Sequence, residues 1–176
     1  MARKKKTRPY LVKGDKYSID DTFAIIAPHL NPDEEVYVPG KKKKKIDFYG
    51  DMIKPNSQRY QTFYYKGCTC SKCGLKASYF EKNKMSNENT YHLNLYGIDE
   101  NGNEVLFTKD HILPKSLGGE NYITNFQPMC ERCNKKKSSS MSTKDKIHTI
   151  FSKPKLCKKI MVSYYKKHPV YLAEIN

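Results

Sequence analysis

The 176-residue chain has no tryptophan and only four arginines, Arg3, Arg8, Arg59 and Arg132, so 29 of its 33 basic residues are lysine. Acid to balance them is also short: 18 Asp and Glu leave a formal charge of +15. Such a chain is matched to polyanions, with nucleic acid the default partner. It contains no apolar run near the roughly 18 residues of a membrane-spanning helix, and no basic helix with a wide apolar face, which disfavours a membrane partner. The basic start through Lys6 leads into Thr7-Arg8-Pro9 and not into an apolar stretch with a cleavage site, so no secretion signal is read and an intracellular, cytoplasmic location is expected. No repeat is evident. The length suits one main domain with extensions, not two large cores.

Three regions are expected. Residues 1–58 form a basic N-terminal region. Within it, residues 1–16 suit a flexible arm that neutralises phosphates or, equally, a solvated tail. Ser18 with Asp20 and Asp21 marks a helix start, and Ile19, Phe23, Ile26 and Leu30 keep helical spacing up to Pro32. Lys41, Lys42, Lys43, Lys44 and Lys45 follow Pro39-Gly40 as a basic loop entering a strand at Ile46. Residues 59–139 form the central domain, opening with an aromatic, strand-like run from Arg59 to Tyr65. Tyr91 to Leu113 reads as a hairpin turning near Asn101-Gly102, and Met129 to Ser138 as a helix with Pro128 at its first position. Residues 140–176 form a basic C-terminal extension with helical candidates at 143–151 and 154–168.

Four of the six cysteines form two Cys-x-x-Cys pairs, Cys70 with Cys73 and Cys130 with Cys133. In a reducing compartment such pairs are metal ligands before they are disulfides, and a two-residue gap turns both thiolates toward one tetrahedral zinc. Four sulfurs close the coordination shell, so this zinc is read as structural. Gly74 can take the unusual backbone angles that the first turn needs, which favours Cys70 and Cys73 over Cys68. Cys68 and Cys157 are read as non-ligands.

Between the pairs lies Asp110-His111-Ile112-Leu113-Pro114-Lys115-Ser116-Leu117-Gly118-Gly119, followed by Asn125-Phe126-Gln127-Pro128 and by Cys130-Glu131-Arg132-Cys133-Asn134. In that order, over about residues 66–139, these segments resemble the HNH, or ββα-metal, endonuclease family in its zinc-containing branch. The resemblance implies an α+β fold: a small ββα-metal core stapled by the four-cysteine site, with basic extensions on both sides. It implies a phosphodiester hydrolase acting on DNA, in which His111 is the general base. Asp110 and Asn134 would hold a catalytic divalent cation, and their hard oxygen donors suit Mg²⁺ or Mn²⁺. Asn125 would orient the loop and the imidazole. Lys115 and Lys137, with the Lys41–Lys45 block, are candidate phosphate contacts. Two other readings stay open: a zinc-stapled nucleic-acid-binding protein without turnover, and a nuclease selective for branched DNA. Small size and a lysine-rich composition suit, by analogy, a free-standing nuclease of a phage or mobile element.

Overall fold

A computed structural model describes residues 10–31, 44–115 and 119–137. Lys41, Lys42, Lys43, Cys157 and both expected tail helices lie outside the described residues. The described chain is mixed α+β, with five antiparallel strands in the order β1-β4-β5-β6-β7. They are β1 Leu11–Tyr17, β4 Ala77–Met85, β5 His92–Ile98, β6 Glu104–His111 and β7 Phe126–Cys130. A separate hairpin pairs β2 Ile46–Phe48 with β3 Asp51–Ile53. Three α-helices lie among the described residues: α1 Ile19–Ile26, α2 Gln58–Lys66 and α3 Glu131–Lys137. No helix among the described residues is long and apolar enough to cross a membrane.

Strand alternation gives the sheet two unlike faces. Phe80, Leu93, Leu95, Val105 and Phe107 are buried on one, forming a common core with Ile26 of α1 and with Tyr60 and Phe63 of α2. The other is polar. Glu81 and Asn83 are nearly fully buried there, with Asn83 donating to Glu81 at 2.8 Å and accepting from Asn94 at 2.9 Å. Glu104 accepts from Lys13 and Lys16, both at 2.7 Å, and from the Tyr79 hydroxyl. Because its buried residues include Glu81, Lys82 and Asn83, β4 has little of the usual strand signature, and its existence was not read from the sequence.

The helix expected at Ser18 forms: Ser18 Oγ accepts from the Asp21 N–H at 3.0 Å, and a 3-10 turn at Ala27–His29 ends the segment before Pro32. Three other expectations change. Residues 11–17 are not an arm, since they pair with β4 as the edge of the main sheet. Arg59–Tyr65 is helix, not strand. Ser57 caps it by accepting from the Tyr60 N–H at 3.2 Å, and Tyr60 and Phe63, three apart, share its buried side. The aromatic content suggested a strand, but capping and i,i+3 burial decide for helix. Finally, Pro128 lies inside β7 and α3 begins only at Glu131. β7 is an edge strand, where the missing proline N–H costs no ladder bond.

Candidate active site

The Asn101-Gly102 turn, with Gly102 at φ 78°, returns the chain into β6, and β6 pairs with β7 from Phe107↔Cys130 to His111↔Phe126. α3 then folds back against β6. The hairpin expected over Tyr91–Leu113 forms as β5–β6, and β7, which was not expected, pairs with β6 before α3, so the site is strand, loop, strand, helix.

The cysteine cluster anchors this unit. Cys70, Cys73, Cys130 and Cys133 each offer a sulfur, and the four atoms lie within 4.8 Å of one another, with Cys73 and Cys130 Sγ 3.8 Å apart. A tetrahedral zinc about 2.3 Å from each ligand places its sulfurs about 3.8 Å apart, so the donor set fits that ion in number, chemistry and spacing. It is the one group of three or more metal-ligating His, Cys, Asp or Glu side chains found among the described residues. Gly74 turns at φ 77° and its N–H reaches Cys70 O at 3.0 Å, closing the first knuckle. Burial raises the Cys70 thiol, but N–H groups from Cys130, Cys73 and Lys72 on its sulfur outweigh burial and bring it down to about 7. Cys68 stands outside the cluster; burial pushes its thiol up to about 11, the environment of an inert cysteine.

Anchored by Cys130 and Cys133, α3 is steered further by Arg132, whose guanidinium meets Asp99 of the β5–β6 turn at 2.6 Å. N–H donation from Asn103, more than Arg132 itself, holds the Asp99 carboxyl down at about 2. The helix then crosses one face of β6. Asn134 Nδ2 donates to Thr108 Oγ1 at 2.9 Å, and one helical turn on, Lys137 Nζ donates to Asp110 Oδ2 at 2.7 Å and to His111 O at 2.6 Å. Gln127 adds a second donor to Asp110 Oδ2 at 2.8 Å. Asp110 and Asn134 thus belong to the same strand–helix seam, with Asn134 above Thr108 and Lys137 above Asp110. Lys137, named from the sequence as a phosphate contact, is instead turned inward, its side chain only 10 % exposed, because a buried carboxylate needs a countercharge.

His111 faces the other side of β6. Its ring meets Phe126 edge-on at 4.9 Å between centroids, and Nε2 lies 2.9 Å from Asn121 Oδ1. An amide oxygen only accepts, so Nε2 carries the proton and Nδ1 keeps its lone pair. Burial, with Lys109 and Lys115 adding like charge, outweighs the Asn121 bond and holds His111 below its ordinary value. The imidazole is neutral at neutral pH. Burial likewise brings Lys109, on the same face, down to about 8.

Asn125 secures the connecting loop. Its Oδ1 accepts from the Leu113 N–H at 2.9 Å, while Nδ2 donates to Leu113 O at 3.2 Å and Glu120 O at 2.9 Å. The Ile112 N–H, next to His111, bonds Asn125 O at 2.8 Å. Lys115 in that loop is exposed, as are Lys44 and Lys45 before β2. Two residues beside the imidazole, Asn121 and Lys109, were not singled out from sequence. Asn121 lies four residues before Asn125 in the same loop, and Lys109 is two before His111 in a strand, the spacing that places side chains on one face.

Against known proteins, residues 99–148 match a family described as HNH endonuclease. This bears out the family resemblance read from the residue order. No curated protein and no solved structure matches the chain.

Proposed function

From an HNH endonuclease segment spanning residues 99–148, we propose that the protein is a metal-dependent endonuclease hydrolysing DNA phosphodiester bonds, with His111 as general base. The observation that carries this reading is the His111 ring at the end of β6, with Nε2 2.9 Å from Asn121 Oδ1, an arrangement that leaves Nδ1 as the basic atom, one residue from a carboxylate that α3 faces. Such a nitrogen can take a proton from water at neutral pH, which an ordinary lysine or carboxylate does poorly. The net charge of +15 supports a polyanionic substrate.

In the reaction, His111 Nδ1 accepts a proton from water as the water oxygen bonds to phosphorus. The P–O3′ bond breaks, its electron pair leaves with the 3′ oxygen, and that oxygen takes a proton from solvent. The products are a 5′ phosphate and a 3′ hydroxyl. Asp110 and Asn134 would hold the divalent cation of this family: a carboxylate and an amide oxygen are hard donors, and α3 holds Asn134 over the β6 face that carries Asp110. When bound there, Mg²⁺ or Mn²⁺ supplies charge neutralisation at the phosphate and the departing oxygen. Asn125 fixes the backbone on either side of the loop and so keeps the imidazole aimed. The cysteine site holds zinc in a structural role, setting the height of α3 over β6. Lys115, Lys44 and Lys45 contact the nucleic-acid backbone from exposed positions.

The test is relaxation or linearisation of supercoiled plasmid in the presence of Mg²⁺ or Mn²⁺, with EDTA as control, comparing the wild type with His111→Ala. Metal-dependent cleavage by the wild type and a large loss in the variant are expected. Equal cleavage by both proteins would sink the assigned base.

A further inference from the structure

Lys109 stands out because the groups that hold its ammonium are neutral. It projects from β6 on the face of His111, two residues away, where strand geometry puts both side chains on the same side about 6.6 Å apart along the chain. Its ammonium lies 4.0 Å from the centroid of the Phe126 ring, the same ring that His111 meets at 4.9 Å, so Phe126 carries both groups side by side. Its hydrogen-bond partner is neutral, Gln58 Oε1 at 3.0 Å, at the first residue of α2. No carboxylate lies within ion-pair distance of it among the described residues, whereas the other deeply set lysines have one: Lys82 has Asp51 and Lys137 has Asp110, both at 2.7 Å. Its charged neighbours are Lys115, another cation, and more weakly the carboxylate of Asp110, the next residue along the strand, which lies beyond ion-pair distance.

A partly desolvated ammonium without a counterion costs stability. The ring face and the amide oxygen hold it in one place without neutralising it, which is the arrangement expected of a charge reserved for a ligand. Resting on the nuclease reading above, we propose that Lys109 is a further catalytic residue that binds a non-bridging oxygen of the scissile phosphate, with Lys115 beside it. The face carrying the base thereby carries its own phosphate clamp. Charge that builds on the phosphate as water adds is met by an ammonium that is already positioned, and no reorganisation is needed at that moment. Gln58 and Phe126 act through Lys109 as positioning residues.

The experiment uses the full chain as wild type, Lys109→Met and Lys109→Arg, with a DNA duplex as probe. Three quantities are read: single-turnover cleavage at saturating DNA with Mg²⁺ or Mn²⁺, Tm, and amine acylation of Lys109 by peptide mapping with and without duplex in buffer lacking added divalent cation. In Lys109→Met the cleavage rate should fall roughly 10- to 100-fold at saturating substrate, with Tm unchanged or slightly raised, and Lys109→Arg should recover much of the rate. In the wild type the duplex should protect Lys109 from acylation. Wild-type cleavage by Lys109→Met overturns the proposal, as does an activity loss that tracks a lowered Tm, or acylation indifferent to DNA. If the wild type cleaves no DNA with either metal, the nuclease reading fails on its own, and protection then decides whether Lys109 contacts phosphate.

Discussion

The two faces of β6 are built from alternating residues of one strand and yet obey opposite electrostatic rules. On the α3 side, Thr108 and Asp110 are each taken up by the helix, through Asn134 and Lys137, and Gln127 adds a further bond to Asp110. On the other side, Lys109 and His111 share the Phe126 ring with only neutral hydrogen-bond partners, Gln58 and Asn121. One face is paired internally with α3; the other carries an ammonium and an imidazole whose hydrogen-bond partners are neutral. The difference teaches that a single strand can divide its side chains by parity, with those on one side bonded to the helix and those on the other held by neutral partners.

The largest effect should come from dismantling the anchor on which both faces depend. Binding of a structural zinc is worth about 10 kcal/mol, comparable with the whole stability of a small domain. Cys130→Ser, or stripping the metal with a strong chelator, should therefore abolish cooperative thermal unfolding of the β6–β7–α3 unit, whereas Cys68→Ser should shift stability by less than about 1 kcal/mol. Circular dichroism melts and zinc analysis check this, and an unaltered melt for Cys130→Ser would show that the cluster anchors nothing.

His111→Ala should separate the faces: plasmid cleavage should fall by roughly 10²- to 10⁴-fold while the melting curve stays close to wild type, because nothing on the α3 side relies on the imidazole ring. A sharper contrast comes from making the same change on each face. Lys137→Met leaves Asp110 buried without its countercharge and should cost about 3 kcal/mol in urea unfolding, whereas Lys109→Met removes an uncompensated cation and should cost nothing measurable. Equal losses in both variants would erase the distinction.

The smallest effect lies on the polar side of the sheet, at Glu104. Hydrogen bonds from Lys13, Lys16 and Tyr79 bring its carboxyl from the ordinary 4.5 down to about 2. A carboxyl depressed in the folded state stabilises fully above its ordinary value and loses that contribution as pH falls toward 2. The stability difference between wild type and Glu104→Gln should thus be widest near neutrality and close between pH 4.5 and about 2, at the modest scale of exposed ion pairs.

Much of the site could be read from residue order alone. The two Cys-x-x-Cys pairs converge as expected, Gly74 turns as required, and Asn125 clamps the loop after His111. These features are local: short spacings and one-residue backbone demands are written into the chain itself. The α2 helix was misread because aromatic content favours strands on average, while Ser57 capping and the i,i+3 pair Tyr60 and Phe63 decide the case. β4 was missed because its buried polar residues are satisfied by Asn94, Tyr96 and Lys13, partners that sequence distance hides.

The sequence by itself determined the class of site: a thiolate cluster, an Asp-His pair and a lysine-rich chain, since residue chemistry and spacing survive without any knowledge of packing. Only the tertiary structure decided how those groups are shared out. Which residue of α3 lies over Asp110, which side of β6 the imidazole takes, and that Lys109 beside it is held by Gln58 and the Phe126 ring all depend on how α3 and α2 are laid against the strand. Those are long-range contacts, and their geometry is set by the cysteine anchor, the Arg132–Asp99 pair and the shared core rather than by any neighbouring residue in the chain.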